Sequence, residues 1–220
     1  RIKSPLTPLL ERMKDEIIDT LTPRLAEIGD SEVALLMPVH NEVANIENAV
    51  MEFYNEIGEK MPLEVVCCED GSTDGTKDVL RELSRKIPMK VIIGGERKGY
   101  APAIKDGLKI VSSRYVLFVD SDRQHLPKDF FKLYASRENC DIVSGYRVKR
   151  MDALHRKIMS WVFQWMARIV FKLPKLTDIT APYRLVRTDV AKVIAGECKY
   201  MKESFWTEFT IISHKKGYKM

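Results

Sequence analysis

The chain has 220 residues, of which 45% are hydrophobic and 30% are charged, and its formal net charge is +5. This composition supports one sizeable hydrophobic core and excludes an intrinsically disordered chain. The positive charge favours anionic partners such as nucleotides, lipid phosphates or a membrane surface. Because no patch combines basic residues with regular aromatic platforms, we expect no nucleic-acid partner.

The four cysteines are Cys67, Cys68, Cys140 and Cys198. They contain no Cys-x-x-Cys pair and do not have the spacing of metal ligands. Cys67 and Cys68 are neighbours in a predicted strand, so they should point to opposite faces of the sheet. We predict four buried thiols in a protein of a reducing compartment.

Residues 1–30 are predicted to form an N-terminal helical extension. Pro5 and Pro8 precede a helical pattern over 9–21, in which Met13, Ile17 and Ile18 have helical spacing. The extension would either pack on the edge of the following domain or bind a partner.

From residue 33 onward the sequence alternates between short apolar runs and amphipathic segments. Strands are predicted over 33–39, 63–68, 89–93, 115–119 and 141–144, and helices over 45–57, 76–85 and 100–111. This alternation is typical of an α/β fold with a mostly parallel, Rossmann-like sheet flanked by helices on both faces.

The strand predicted over 115–119 leads directly into Asp120 and Asp122, with Gln124 two residues further on. Open α/β sheets bind ligands at the carboxyl ends of their strands. Two crowded carboxylates repel each other unless a cation lies between them, and hard oxygen ligands suit Mg²⁺ or Mn²⁺, which usually also hold substrate phosphates. The alternative is a polar turn that caps a helix near 126–134.

Two other predicted strands are also followed by polar loops. Asn41 and Glu42 follow the first strand, and the segment Glu-Asp-Gly-Ser-Thr-Asp-Gly occupies 69–75. Parallel strands place these loops and the Asp120 loop at one crevice. The 69–75 segment lacks the spacing of a phosphate loop and offers acceptors for a base or ribose. Its glycines permit tight turns, and Asp74 could cap the next helix.

The segment 153–173 is predicted to be an amphipathic helix. Trp161, Trp165 and Ile169 are among its apolar residues, and Arg168 and Lys172 are among the cations that interrupt them. Such a helix can lie in a membrane interface, with its apolar side in the lipid and its cations near lipid phosphates. The alternative is an ordinary helix that packs its apolar side on the core.

Four segments in order, 38–42, 69–76, 99–107 and 120–124, resemble the motifs of family 2 glycosyltransferases of GT-A fold, and most closely those of the dolichol-phosphate mannose synthase branch. The resemblance implies that residues 31–220 form a GT-A domain. The chain starts with Arg1 and stops in what reads as an incoming strand at 217–220, so we expect the domain to be incomplete at its C-terminus.

The resemblance also implies roles for individual residues. Those implied to contact the nucleotide sugar are Pro38, Val39, Asn41, Glu42, Asp70, Ser72, Lys98, Asp120, Ser121 and Gln124. A Mg²⁺ or Mn²⁺ ion would be held by Asp120, Asp122 and Gln124. The implied catalytic residues are Asp122, Arg147, Asp178 and Glu208, and the acceptor phosphate would meet Arg147 and Arg156. In the segment 178–184, Ala181 and Pro182 replace the Ser-Gly pair of the family.

The predicted activity is inverting transfer of a hexose, mannose or glucose, from a GDP- or UDP-sugar to a polyprenyl or dolichyl phosphate. It would take place at the cytoplasmic face of a membrane. If the acceptor were instead a hydroxyl of a glycan or glycolipid, Glu208 or Asp178 would be the candidate base. Their structural alternatives are a turn cap for Asp178 and a solvent-facing helical position for Glu208. A non-catalytic nucleotide-sugar-binding domain is the third hypothesis.

Overall fold

The computed structural model of the chain describes residues 15–21, 31–145, 154–173, 178–201 and 204–220. The strands in these ranges are β1 (Glu16–Asp19), β2 (Val33–Val39), β3 (Leu63–Glu69), β4 (Lys90–Ile93), β5 (Tyr115–Phe118), β6 (Ile142–Ser144) and β7 (Arg184–Arg187). The helices are α1 (Ile46–Gly58), α2 (Thr76–Lys86), α3 (Tyr100–Ile110), α4 (Phe130–Ala135), α5 (Leu154–Phe171), α6 (Thr188–Glu197) and α7 (Phe205–Lys215). Single 3-10 turns lie at Pro127–Asp129 and Arg137–Asn139.

The strands form one seven-stranded sheet in the order β1-β4-β3-β2-β5-β7-β6. Its centre, β4-β3-β2-β5, is parallel, whereas β1 and β7 run antiparallel to their neighbours. Every residue of β2 and β3 is buried, as expected for central strands covered on both faces. The predicted α/β fold is therefore confirmed. The five strands predicted between residues 33 and 144, and the helices predicted over 45–57, 76–85 and 100–111, have ends within one residue of those observed. The helix expected near 126–134 is the 3-10 turn Pro127–Asp129 followed by α4.

Helices cover both faces of the sheet. Helices α1, α2 and α4 pack on one face, where Phe53, Leu80 and Phe130 join a single apolar core. Helices α3, α6 and α7 pack on the other face around Ile104, Ile194 and related residues. Each helix contributes an apolar stripe with a period of three to four residues, which is the pattern that a sheet-covering helix requires.

The helix predicted over 9–21 is wrong where the structure describes this segment. Glu16–Asp19 form edge strand β1, which pairs antiparallel with β4 in a register that places Ile17 opposite Ile92. Ile17 and Ile18 pack into different cores on the two faces of the sheet, as strand periodicity demands. Pairing with the exposed edge of β4 outweighs the helical spacing. Residues 1–14 and 22–30 of the predicted extension lie outside the described residues.

The cysteines follow the prediction with one exception. Cys67 and Cys68 lie in the two opposite cores, and Cys198 is also buried, but Cys140 is only half-buried. Burial raises the pKa of the Cys67 thiol to about 12.

Helix α5 lies apart from the two main cores. Ala167 is buried in a smaller apolar cluster with Leu173, Ile179 and Ile211. Among the residues that the structure describes, no helix has both the length and the apolarity needed to cross a membrane.

The last four residues do not form a strand, contrary to the expectation for 217–220. They do approach the sheet, because the carbonyl of Lys219 accepts the N–H groups of Asp141 and Ile142 at 2.9 and 3.0 Å.

Candidate functional site

The candidate site lies where the strand order of the sheet reverses. The strands β3 and β4 that follow β2 in the chain lie on one side of it, and β5 lies on the other. In open α/β sheets, ligands bind in the crevice at such a switch point, outside the carboxyl ends of the strands. Leu36 and Phe118 are paired in the β2–β5 register, and Val119 N–H donates to Leu36 O at 3.1 Å. Asp120 therefore emerges at the crevice.

The loops after β2 and β3 are fixed to each other by side chains. The Asn41 N–H donates to Ser72 Oγ at 2.9 Å, and Asn41 Oδ1 accepts the N–H of Thr73 at 2.9 Å. Asn41 has a positive φ of 54°, a conformation that asparagine tolerates better than most residues. The predicted convergence of these two loops is thus observed, with Asn41 exposed and Ser72 buried at their junction.

Asp70 is buried and holds the loop that enters α3. Its two carboxylate oxygens accept the backbone N–H groups of Lys98 and Gly99 at 2.7 and 2.8 Å. Its own N–H donates to Val39 O at 2.8 Å, so Asp70 connects the ends of β2 and β3 to the 94–99 loop. This geometry gives the carboxylate a role in loop positioning, and contact with a nucleotide stays a prediction.

The remaining acidic groups of the 69–75 loop also bind backbone amides. Glu69 accepts the N–H groups of Ser72 and of Gly94, the latter at 3.0 Å. Asp74 accepts the N–H of Thr76, the first residue of α2, at 3.0 Å and the N–H of Val43 at 3.1 Å. Gly75 is the N-cap residue of α2, so Asp74 does not hold the expected capping position, although from one residue earlier it accepts the N–H of the first helical residue. Its hydrogen bond with the Thr76 hydroxyl is the main cause that lowers the pKa of its carboxyl.

The glycines of this loop serve the expected turns. Gly71 and Gly75 both have positive φ values, 65° and 96°. A Cβ at Gly71 would lie 2.3 Å from the backbone nitrogen of Arg97, so only glycine allows the 69–75 and 94–99 loops to pack this closely.

The carboxylate pair lies at the surface of the crevice. Asp122 and Gln124 are exposed, Asp120 is half-buried and Ser121 is buried. Asp122 Oδ1 accepts the N–H of Gln124 at 3.0 Å, which forms a local turn, and Asp120 Oδ1 accepts the hydroxyl of Tyr100 at 2.7 Å.

These residues fit a divalent cation whose coordination is completed by a ligand. Asp120, Asp122 and Gln124 offer hard oxygen donors, and Mg²⁺ is commonly bound through one or two carboxylates together with substrate phosphates and waters. Within the described ranges there is no cluster of three or more His, Cys, Asp or Glu side chains able to hold a metal by themselves. A cation at these residues would need further ligands, such as the oxygens of a diphosphate, to complete its coordination.

Lys98 was predicted to contact the nucleotide sugar, and its ammonium group already has two carboxylate partners. Its Nζ lies 2.5 Å from Asp15 Oδ2 and 2.6 Å from Asp106 Oδ2. Burial opposes the charged form of Lys98, but the two carboxylates outweigh it and raise the pKa of the ammonium group. Asp15 also accepts the N–H of Gly95 at 3.2 Å, so the segment before β1 supports the same loop.

Glu208 lies in α7 and is buried, so the solvent-facing alternative is wrong. Its carboxylate accepts the backbone N–H groups of Lys199, Tyr200 and Met201 at 2.8–3.2 Å. Burial disfavours the charged carboxylate, but these hydrogen bonds outweigh it and hold the pKa of Glu208 below its ordinary value. A carboxylate in this state is a poor general base.

Asp178 is also buried, and its carboxylate closes a local turn. Its Oδ1 accepts the N–H of Thr180 at 3.0 Å and the hydroxyl of Thr180 at 2.7 Å. The turn-cap alternative for Asp178 is therefore observed. Arg147 lies outside the described residues, and Arg156 lies in the first turn of α5 with its side chain undescribed.

Sequence reasoning missed three residues beside the site: Tyr100, Arg184 and Trp206. The Trp206 Nε1–H donates to the Tyr100 hydroxyl oxygen at 2.9 Å. Arg184 is fully buried and donates to the carbonyls of Ala181 and Ile179 at 2.7 and 2.9 Å, which fixes the segment that departs from the family pattern. Burial lowers the pKa of Arg184 to about 10. No sequence signal marks the contact between Trp206 and Tyr100, because these two residues lie far apart in the chain.

A separate depression of about 820 Å³ lies at the opposite edge of the sheet, near the amino end of β5. Arg114, Arg187 and Lys192 are among its lining residues. None of the predicted site residues that the structure describes lines it, so we assign the site to the carboxyl edge.

The sequence profile described as Glycosyl transferase family 2 matches residues 34–195, from β2 to α6. The chain belongs to glycosyl transferase family 2. A dolichol-phosphate mannosyltransferase of Pyrococcus furiosus is 32% identical over 157 residues, which cover 69% of this chain and 44% of that enzyme. An uncharacterised protein of Methanocaldococcus jannaschii is 28% identical over 183 residues, which cover 77% of this chain and 78% of that protein.

A solved structure shares the fold of this family 2 chain. The mannosyltransferase PcManGT from Pyrobaculum calidifontis, in complex with GDP-Man and Mn²⁺, has a TM-score of 0.62 and 19% identity, over 96% of this chain and 58% of that chain. The predicted GT-A fold is thus confirmed. The family 2 chain spans less than half the length of the Pyrococcus enzyme and about 58% of the Pyrobaculum chain.

Proposed function

We propose that this family 2 chain is the catalytic part of an inverting, metal-dependent hexosyltransferase that moves mannose or glucose from a GDP- or UDP-sugar to a polyprenyl phosphate. The observation that carries the proposal is the position of Asp120 and Asp122. They directly follow β5, beside β2 at the point where the strand order reverses. The relatives support it, since one is a dolichol-phosphate mannosyltransferase and one solved structure contains GDP-Man and Mn²⁺.

The chemistry of glycosyl transfer requires negative charge to be stabilised at the departing diphosphate. A Mg²⁺ or Mn²⁺ ion bound with the diphosphate would supply Lewis-acid stabilisation of that charge. Asp120 and Asp122, with Gln124, would hold the ion. The wall beside the base and ribose would be formed by the end of β2 and by the loops that Asn41 joins, with the residues Pro38, Val39, Asn41, Glu42, Asp70 and Ser72.

The state of the two candidate bases favours a phosphate acceptor over a hydroxyl acceptor. The carboxylate of Glu208 is occupied by three backbone amides, and that of Asp178 accepts two hydrogen bonds from Thr180. A sugar hydroxyl needs a base to remove its proton, whereas a polyprenyl phosphate is already anionic at neutral pH. Positioning by Arg147 and Arg156 would then be enough for the acceptor.

The exposed side of α5 supports a membrane-bound acceptor. Trp161 and Trp165 are 67% and 53% exposed, and Ile169, one turn further along the same side of the helix, is similarly exposed. Large apolar side chains on an exposed helical face mark an interaction surface. Interfacial helices of this kind place such residues at the boundary between lipid headgroups and acyl chains. We propose that the exposed apolar face of α5 contacts the cytoplasmic surface of a membrane.

The test is a screen of GDP-mannose, UDP-glucose and related donors with Mn²⁺ or Mg²⁺, with and without a short polyprenyl phosphate. We expect one donor to be consumed only with a divalent cation, and faster with the lipid phosphate. Asp122→Ala should lower turnover on the order of 100-fold. Full activity of Asp122→Ala would overturn the catalytic assignment, and transfer only to hydroxyl acceptors would overturn the phosphate acceptor. Donor binding without any turnover would support the non-catalytic hypothesis.

A further inference from the structure

We infer that Tyr100 is a positioning residue, which holds Asp120 in the orientation that the diphosphate-bound cation requires, and that Trp206 directs the proton of Tyr100 toward Asp120. This inference rests on the proposed function, since it concerns the same carboxylate pair. It assigns a role to two side chains that were not among the predicted site residues.

The first step is the direction of the hydrogen bonds. The Trp206 indole nitrogen can only donate, and it lies 2.9 Å from the Tyr100 hydroxyl oxygen. The phenol oxygen of Tyr100 therefore accepts a hydrogen bond from the indole N–H. The O–H group of Tyr100 must then donate its own hydrogen bond to another acceptor. Asp120 Oδ1 lies 2.7 Å away and can only accept as a carboxylate. The chain of donors runs in one direction, from Trp206 through Tyr100 to Asp120.

Trp206, the first donor in this series of hydrogen bonds, is held rigidly by its surroundings. The ring of Trp206 packs edge-on against Phe118 of β5 at 5.0 Å between centroids, and the Arg184 guanidinium carbon lies 5.0 Å from the Trp206 ring centroid. Trp206 is buried, so its position is set by packing on the sheet. Tyr100, in contrast, is 38% exposed in the wall of the crevice. Through the Tyr100 hydroxyl, the buried and immobile Trp206 thus restricts the orientation of the Asp120 carboxylate at the surface.

The third step is the position of Asp120 itself. It is half-buried and follows directly on a buried strand end, whereas its partner Asp122 lies in an exposed turn. The Tyr100 hydroxyl engages Oδ1 of Asp120, and a carboxylate oxygen can accept more than one interaction. Fixing one oxygen sets the direction of the other, which reduces the loss of side-chain freedom when a cation and a diphosphate bind.

The test compares GDP and UDP binding in MnCl₂ and in EDTA by isothermal titration calorimetry. Tyr100→Phe removes one hydrogen bond to a carboxylate, so we expect binding with Mn²⁺ to weaken about tenfold. Binding in EDTA, which depends on the base and ribose contacts, should remain within about twofold of the wild type. A merely structural role would change both conditions by the same factor.

The matched control is Tyr134→Phe. Tyr134 also donates its hydroxyl to a carboxylate, that of Glu32, but at the amino end of β2, away from the crevice. We expect this variant to bind GDP and UDP as the wild type does under both conditions. Melting temperatures of both variants show whether either change disturbs the fold.

A second variant keeps the inference falsifiable if Tyr100→Phe is unstable. Trp206→Phe retains an aromatic ring but removes the indole N–H, and it should weaken Mn²⁺-dependent binding in the same direction. The double variant should bind nucleotide with Mn²⁺ about as weakly as Tyr100→Phe alone, because Trp206 acts through Tyr100. Wild-type-like Mn²⁺-dependent binding by Tyr100→Phe, or independent effects of the two substitutions, would overturn the inference. A wild-type protein that binds neither GDP nor UDP with Mn²⁺ would overturn the proposed function itself, and this inference with it.

Discussion

The backbone N–H of Gly99 donates to Oδ2 of Asp70 at 2.8 Å, and this bond connects the end of β3 to the beginning of α3. The other oxygen of Asp70 accepts the N–H of Lys98 at 2.7 Å. The same short segment leads into Tyr100, whose hydroxyl reaches Asp120. Asp70 thus supports both the proposed nucleotide side and the proposed metal side of the candidate site.

Asp70→Asn should destabilise the protein and weaken nucleotide binding. The amide group supplies one acceptor where the carboxylate supplies two, so one buried N–H group loses its partner, at a cost of about 1–3 kcal/mol. Urea unfolding measures the change in stability, and GDP or UDP titration measures the affinity. Asp78→Asn is the control, because Asp78 is an exposed residue of α2. Equal stability of Asp70→Asn and Asp78→Asn would contradict this account.

Glu208→Gln should loosen the 199–201 loop and destabilise the protein by about 1–3 kcal/mol at neutral pH. Turnover with a phosphate acceptor should fall only mildly, since Glu208 is not assigned as a base. Glu197→Gln is the matched control, because Glu197 is an exposed helical glutamate paired with Lys216. Loss of nearly all turnover in Glu208→Gln, with the fold intact, would instead support a base mechanism and a hydroxyl acceptor.

The same substitution has a defined pH dependence. The pKa of Glu208 is lowered in the folded protein, so the unfolded chain binds more protons in the pH range between the two pKa values. The stability that Glu208 contributes is therefore fully present above its ordinary pKa of about 4.3 and is lost as the pH falls through the lower folded value. The stability difference between wild type and Glu208→Gln should shrink in acid, which unfolding curves at several pH values will measure. A difference that grows below pH 4 would contradict the assignment.

The fold was predictable from the sequence where local patterns are clear. Strands β2, β3 and β5 are short apolar runs bounded by polar loops, and their alternation with helices predicts the parallel sheet. Strand β1 was not predictable, because Ile17 and Ile18 have spacing compatible with a helix and only the edge of β4 makes them a strand. Tertiary pairing outweighs local propensity there.

The site was predictable only where its residues follow the carboxyl ends of predicted parallel strands. The carboxylate pair, Asn41 and the 69–75 loop come together because parallel strands end at one edge. The burial of Glu208 against the 199–201 backbone, and the path from Trp206 to Asp120, depend on contacts between distant segments. No spacing in the sequence encodes such contacts.

The exposed apolar face of α5 should bind vesicles. Trp165→Ser with Ile169→Asn should weaken co-sedimentation with anionic vesicles at least about tenfold, since each buried large side chain contributes about 1.5–3 kcal/mol. Both residues are exposed, so the melting temperature should stay the same. Val193→Ser is the control, because Val193 is exposed on a different helix, α6. Vesicle binding that is unchanged in the double variant, or absent in the wild type at low salt, would contradict the membrane assignment.

The most direct test of the central claim is an anomalous-scattering experiment on crystals soaked with Mn²⁺ and GDP or UDP. We expect one strong manganese peak between the diphosphate and the carboxylates of Asp120 and Asp122, and we expect this peak to be lost in Asp122→Ala crystals. A bound nucleotide whose diphosphate lies away from these two aspartates, with no manganese beside them, would contradict this claim.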